Sequence, residues 1–145
     1  MRLVVQRVSR AAVEIEGRVV GSCDEGMLVL VGLTSTDTPA TADAAAKKLV
    51  ALRIFKDEVK PINASLKDIS GTILLVSQFT LYGSVKQGNR PSFVEAMAPD
   101  QAERLFEYFC QAVKKLYPKV QTGVFGADMQ VSLLNDGPVT FILEF

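Results

Sequence analysis

The chain has 145 residues, 48% of them hydrophobic, enough to bury one compact core at close to the commonest domain size, so a single domain over residues 1–145 is expected. Sixteen basic and sixteen acidic residues give a formal net charge of zero, which excludes a globally basic nucleic-acid binder and leaves only a local patch to meet a polyanion. The absence of histidine excludes Ser-His-Asp triads, Cys-His pairs and every histidine-containing metal site. Cys23 and Cys110 are too few for a zinc cluster and read as reduced, packed thiols; neither metal nor cofactor is expected. The longest apolar stretches, such as Met27 to Leu33, are strand-length and far short of the roughly 20 residues of a membrane-spanning helix. The N-terminal residues lack the apolar core of a signal peptide, so a cytoplasmic location without membrane partners is the default.

The first third reads as strands over Leu3 to Val8, Ala11 to Ile15, Val19 to Cys23 and Met27 to Leu33, with turns at Glu16-Gly17 and Asp24-Glu25-Gly26. Thr38-Pro39 reads as an N-cap with proline at the first helical position, followed by Ala42, Ala45, Ala46, Leu49 and Leu52 at helical spacing. Ile73 to Leu81 reads as a strand whose wholly apolar first half implies burial on both faces. A second helix begins near Pro99, carries Asp100 and Glu103 early and Lys114 and Lys115 late, and is stopped by Pro118. Its buried stripe is Ala102, Leu105, Phe106, Phe109, Val113 and Leu116. Met129 to Leu134 and Val139 to Phe145 complete the chain as strands on either side of Asn135-Asp136-Gly137-Pro138. The fold class is therefore α+β, with antiparallel or mixed sheets curling into a partial barrel and two main helices.

Three segments carry polar chemistry. Ser77-Gln78-Phe79-Thr80-Leu81 puts polar groups at the end of a core strand, which suits either an exposed strand end or a polar mouth. Asn135-Asp136-Gly137-Pro138 suits either a hairpin turn or a pair of main-chain carbonyls that glycine leaves unshielded. Lys86-Gln87-Gly88-Asn89-Arg90 suits either a solvated loop or a phosphate contact. No general base lies near Ser77 or Thr80 in sequence, and a lone threonine hydroxyl is a poor nucleophile at neutral pH.

Taken together, Gln6-Arg7-Val8, Arg53-Ile54-Phe55, Ser77 to Leu81, Arg90-Pro91-Ser92-Phe93 and Asn135 to Thr140 make the whole chain resemble the D-aminoacyl-tRNA deacylase family, also called D-tyrosyl-tRNA deacylases. The resemblance implies hydrolysis of the ester of D-aminoacyl-tRNA, and of glycyl-tRNA mischarged on tRNA-Ala, by a homodimer with active sites at its interface. It implies a site in which Ser77, Gln78, Phe79 and Thr80 of one subunit face a cis Gly137-Pro138 pair from the other, with Arg7 holding that pair. Phe79 and Val139-Thr140 favour the D-specific group over a related deacylase group that handles chirality differently.

On that reading, the ribose hydroxyl next to the ester assists the attack and the Phe79 and Thr80 amides stabilise the oxyanion. Thr80 as an acyl-accepting nucleophile is the alternative. Phe125 and Met129 are candidates for an adenosine slot and equally for core residues, and Lys86 and Arg90 are candidates for phosphate contacts. Outside this class stand a non-catalytic nucleic-acid-binding dimer and a purely structural dimer.

Overall fold

The computed structural model describes residues 1–145 as one mixed sheet rolled into a nearly closed barrel, with two helices on its outside. Its strands are β1 (Arg2–Ile15), β2 (Arg18–Cys23), β3 (Gly26–Gly32), β4 (Thr72–Ser77), β5 (Val120–Thr122) and β6 (Gln130–Glu144). The helices are α1 (Pro39–Val50) and α2 (Pro99–Leu116). β1 pairs antiparallel with β2, β3 and β6, whereas β3, β4 and β5 run parallel to one another. Parallel neighbours need crossover connections, which α1 and α2 supply.

Both faces of the central strands are buried, which explains their continuous apolar runs. One face, with Leu3, Val5, Met27, Val29, Ile73 and Leu75, packs under α1 and α2. The other, with Val8, Val13, Leu28, Leu74 and Val76, fills the barrel. Thr38 caps α1 reciprocally with Thr41, and Pro39 opens it. α2 has no side-chain cap; Pro99 opens it and Lys114 and Lys115 sit at its negative dipole end.

Four sequence expectations shift. Leu3–Val8 and Ala11–Ile15 are one strand, irregular where β6 slips between Val8 and Arg10. The strand from Ile73 stops at Ser77, because β3 offers no partner beyond Val31, and Phe79–Tyr82 forms a 3-10 helix instead. Asn135 to Pro138 is not a hairpin: the residues on both sides belong to β6, which runs along the whole of β1. Leu116 is 42% exposed, and Cys110 takes its place in the buried stripe of α2.

Burial is the main force on both thiols, pushing Cys23 up to about 11 and Cys110 up to about 12. Each therefore stays protonated and hidden, and the folded protein at pH 8 should resist iodoacetamide until denaturant is added. Alkylation of either at the rate of a free thiol would contradict this packing.

Candidate active site

The C-terminal ends of the parallel strands share one edge of the sheet, where ligands collect in open α/β arrangements. Immediately beyond β4, Gln78 donates its amide to Val31 O at 2.8 Å, which turns the chain into the 3-10 helix. Leu81 N then bonds Gln78 O at 3.3 Å and Gly83 N bonds Thr80 O at 2.9 Å. The amides of Phe79 and Thr80, at the start of this helix, have no protein acceptor. They form a pair of fixed donors on an exposed turn, with Phe79 and Thr80 both solvent-accessible and Ser77 and Gln78 half-buried.

Gln78 Nε2 lies 2.5 Å from Thr80 Oγ1. A carboxamide in either orientation has no useful basicity at neutral pH, so this contact orients the hydroxyl without activating it. Arg2 clamps the same turn from β1. It donates to Leu81 O at 2.6 Å, pairs with Glu144 at 2.6 Å and lies over the Tyr82 ring at 5.0 Å. Sequence reasoning passed over Arg2, because its acceptors come from residues 79 and 142 positions away.

The second motif is built by a register mismatch. Between the pairs Gln6↔Thr140 and Val8↔Asn135, two steps along β1 face five along β6, so β6 bulges opposite Arg7. The bulge carries Gly137 and Pro138, which are exposed, and their peptide bond is cis. Asn135 braces it from within, accepting from Val139 N at 2.9 Å and donating to Thr140 Oγ1 at 2.9 Å.

Arg7 holds the bulge from beneath. It is 3% exposed, buried because its position continues the inward alternation of Leu3 and Val5. It donates to Asp136 O at 2.9 Å, Ile54 O at 2.7 Å and Pro61 O at 2.8 Å. Removing the guanidinium would strand three carbonyls, a loss of roughly 3–5 kcal/mol. Arg7→Met should therefore lower the thermal midpoint by about 10 °C, read by circular dichroism; an unchanged midpoint would contradict this role.

The two motifs are not joined within one chain. The 3-10 helix sits beside Arg2 and the bulge beside Arg7, five residues further along β1, roughly 17 Å at a rise of ~3.4 Å per residue. Lys86 and Arg90 occupy an exposed loop closed by reciprocal Ser84 and Ser92 backbone bonds at 2.8 and 2.9 Å. Neither pairs with an acid. Phe125 is half-buried, 6.0 Å from Phe106 and packed against the helix-side core. Met129 is half-buried against the barrel core, so Phe125 and Met129 both carry packing. A cavity of about 950 Å³ between α2 and β5 includes Phe125, Glu103 and Gln121 but none of residues 77–80.

These features define a class: an α+β barrel protein whose candidate site presents main-chain donors on a turn and contains no histidine. The family model described as D-Tyr-tRNA(Tyr) deacylase matches residues 4–144, and the chain belongs to that family. It is 52% identical over 141 residues to the D-aminoacyl-tRNA deacylase of Dichelobacter nodosus, covering 97% of each chain. It is 52% identical over 144 residues to that of Ectopseudomonas mendocina, covering 99% of each. Among solved structures, the c-Myc DNA Unwinding Element Binding Protein matches at a TM-score of 0.94 and 40% identity, over 100% of this chain and 99% of the other. A probable eukaryotic D-amino acid tRNA deacylase shares the fold at a TM-score of 0.85 and 21% identity, over 98% of this chain and 97% of the other.

Proposed function

We propose that this chain hydrolyses the ester of D-aminoacyl-tRNA, working as a homodimer in which the Gly137-Pro138 bulge of one subunit enters the site beside Gln78 to Thr80 of the other. The observation that carries the catalytic half is the pair of unpartnered amides of Phe79 and Thr80 at the start of the 3-10 helix. Water adds to the ester carbonyl, and its oxygen becomes a tetrahedral oxyanion aimed at these two N–H groups. The bond from carbonyl carbon to ribose oxygen then breaks. That oxygen takes a proton relayed through the adjacent ribose hydroxyl, and free D-amino acid and tRNA leave.

Two features support the dimer. The outer edge of β6 pairs with no strand of its own chain, and along it Leu133, Leu134, Phe141 and Ile142 are 38–64% exposed. Such an edge is a ready template for a second copy. The separation of the two motifs along β1 supplies the second, since a site that uses both requires a partner. Main-chain carbonyls on the bulge would accept hydrogen bonds from the α-ammonium common to all substrates, while the rigid pair blocks an L side chain. Glycine has no side chain to block, so glycyl-tRNA mischarged on tRNA-Ala is a substrate on the same reasoning.

The reading predicts that Thr80→Ala keeps deacylation within about tenfold of the parent, because the hydroxyl supplies neither base nor nucleophile. Loss beyond a thousandfold in a correctly folded protein would assign the acyl acceptor to Thr80. A non-catalytic nucleic-acid-binding dimer is the second reading, favoured by likeness to the c-Myc DNA Unwinding Element Binding Protein. Multiple turnovers of D-tyrosyl-tRNA by substoichiometric protein would support hydrolysis; stoichiometric binding without release of D-tyrosine would support the second.

A further inference from the structure

Beside the proposed site lies an aromatic surface that the hydrolytic chemistry leaves unused. The Phe79 ring is 58% exposed and meets Phe93, itself 39% exposed, edge to face at 5.0 Å and 61°. The arrangement is built: a Cβ on Gly83 would sit 2.9 Å from Phe93 Cε1, so glycine lets that ring close onto the turn. Between Gly83 and Phe93 runs the loop closed by Ser84 and Ser92, with Lys86 and Arg90 exposed and without acid partners. No acid occurs between Asp68 and Glu95, so the loop itself carries two cations and no acid although the chain is neutral. Val85 and Val94, 63% and 89% exposed, extend the apolar surface.

We infer that Phe79 and Phe93 form a stacking platform for the unpaired nucleotides just before the terminal adenosine of tRNA, with Lys86 and Arg90 meeting their phosphates. Exposed aromatics beside unpartnered cations are the combination that single-stranded nucleic acid binds, because bases stack without sequence preference while phosphates seek positive charge. Charge complementarity selects this occupant over an apolar peptide. The platform also shares a turn with the Phe79 and Thr80 amides, so a strand held there delivers its terminal ester to the donors. The inference rests on the proposed deacylation and adds where the substrate's last nucleotides lie.

Phe93→Leu, Phe93→Tyr and the parent should be compared on D-tyrosyl-tRNA and on 3′-O-D-tyrosyl-adenosine, which lacks the preceding nucleotides. Phe93→Leu should raise KM for the tRNA ester about tenfold, the scale of one lost base–aromatic stack. It should leave KM for the adenosine ester within about twofold, and Phe93→Tyr should restore tRNA binding. In parallel, tRNA carrying 2-aminopurine at its penultimate nucleotide should lose fluorescence on binding the parent and not on binding Phe93→Leu. Equal loss on both esters, or no quenching by the parent, would overturn the platform. Should the parent cleave neither ester, the proposed hydrolysis fails, and the quenching still decides whether the platform exists.

Discussion

Phe79→Pro should lower kcat for D-tyrosyl-tRNA by about 10²–10³, the usual consequence of deleting one oxyanion donor. Proline removes the Phe79 N–H together with the ring and breaks no hydrogen bond of the fold, because this residue opens the 3-10 helix, where that hydrogen bonds nothing in the protein. Gln78, which must tolerate a following proline, is already out of the helical region at φ −147° and ψ 83°. Folding is therefore preserved. Phe79→Ala separates the ring from the amide: it discards the aromatic surface, acting on KM, and keeps the N–H. Equal kcat for Phe79→Pro and Phe79→Ala would remove the main-chain amide from the mechanism.

Gly137→Ala should reduce kcat/KM for D-substrates by at least about 100-fold while lowering stability by only about 1–3 kcal/mol. Gly137 has φ +139°, a region essentially closed to L side chains. An added Cβ would lie 2.7 Å from Val139 Cγ2 and 3.0 Å from Arg7 Nη2. The bulge must move, because both neighbours are tied down: Arg7 by three carbonyls and Val139 by Asn135. Mixed dimers extend the test. A Phe79→Pro subunit paired with a Gly137→Ala subunit would hold one site with both lesions and one with neither. Activity should reappear on mixing; two sites each confined to one subunit would stay inactive.

Much of the fold was legible because its signals are local. The helix starts at Thr38-Pro39 and Pro99 and the doubly apolar strands β3 and β4 each follow from a few adjacent residues. What was not legible depends on distant partners. Asp136-Gly137 is as good a cue for a hairpin as for a bulge, and only the 14-residue β1 alongside decides for the bulge. β5 has three residues, too few for alternation to show. Phe79 to Leu81 has strand-forming residues, yet it turns because β3 has ended.

The candidate site was readable as residues and not as an arrangement. Ser77 to Thr80 stood out as polarity at the end of an apolar strand, but the free amides follow from where the ladder stops. Arg7 was marked by the family resemblance and not by any local pattern; its burial and its bonds to Ile54 and Pro61 arise from a loop about fifty residues away. The Phe79–Phe93 contact likewise needs the intervening loop to close on itself.

The central claim is tested most directly by incubating the purified protein, at substoichiometric concentration, with matched D-tyrosyl-, L-tyrosyl- and glycyl-tRNA and measuring release of the amino acid. The account predicts multiple turnovers on the D-ester and on glycyl-tRNA, with the L-ester left intact. Comparable hydrolysis of the D- and L-esters, or none of the D-ester, would contradict it.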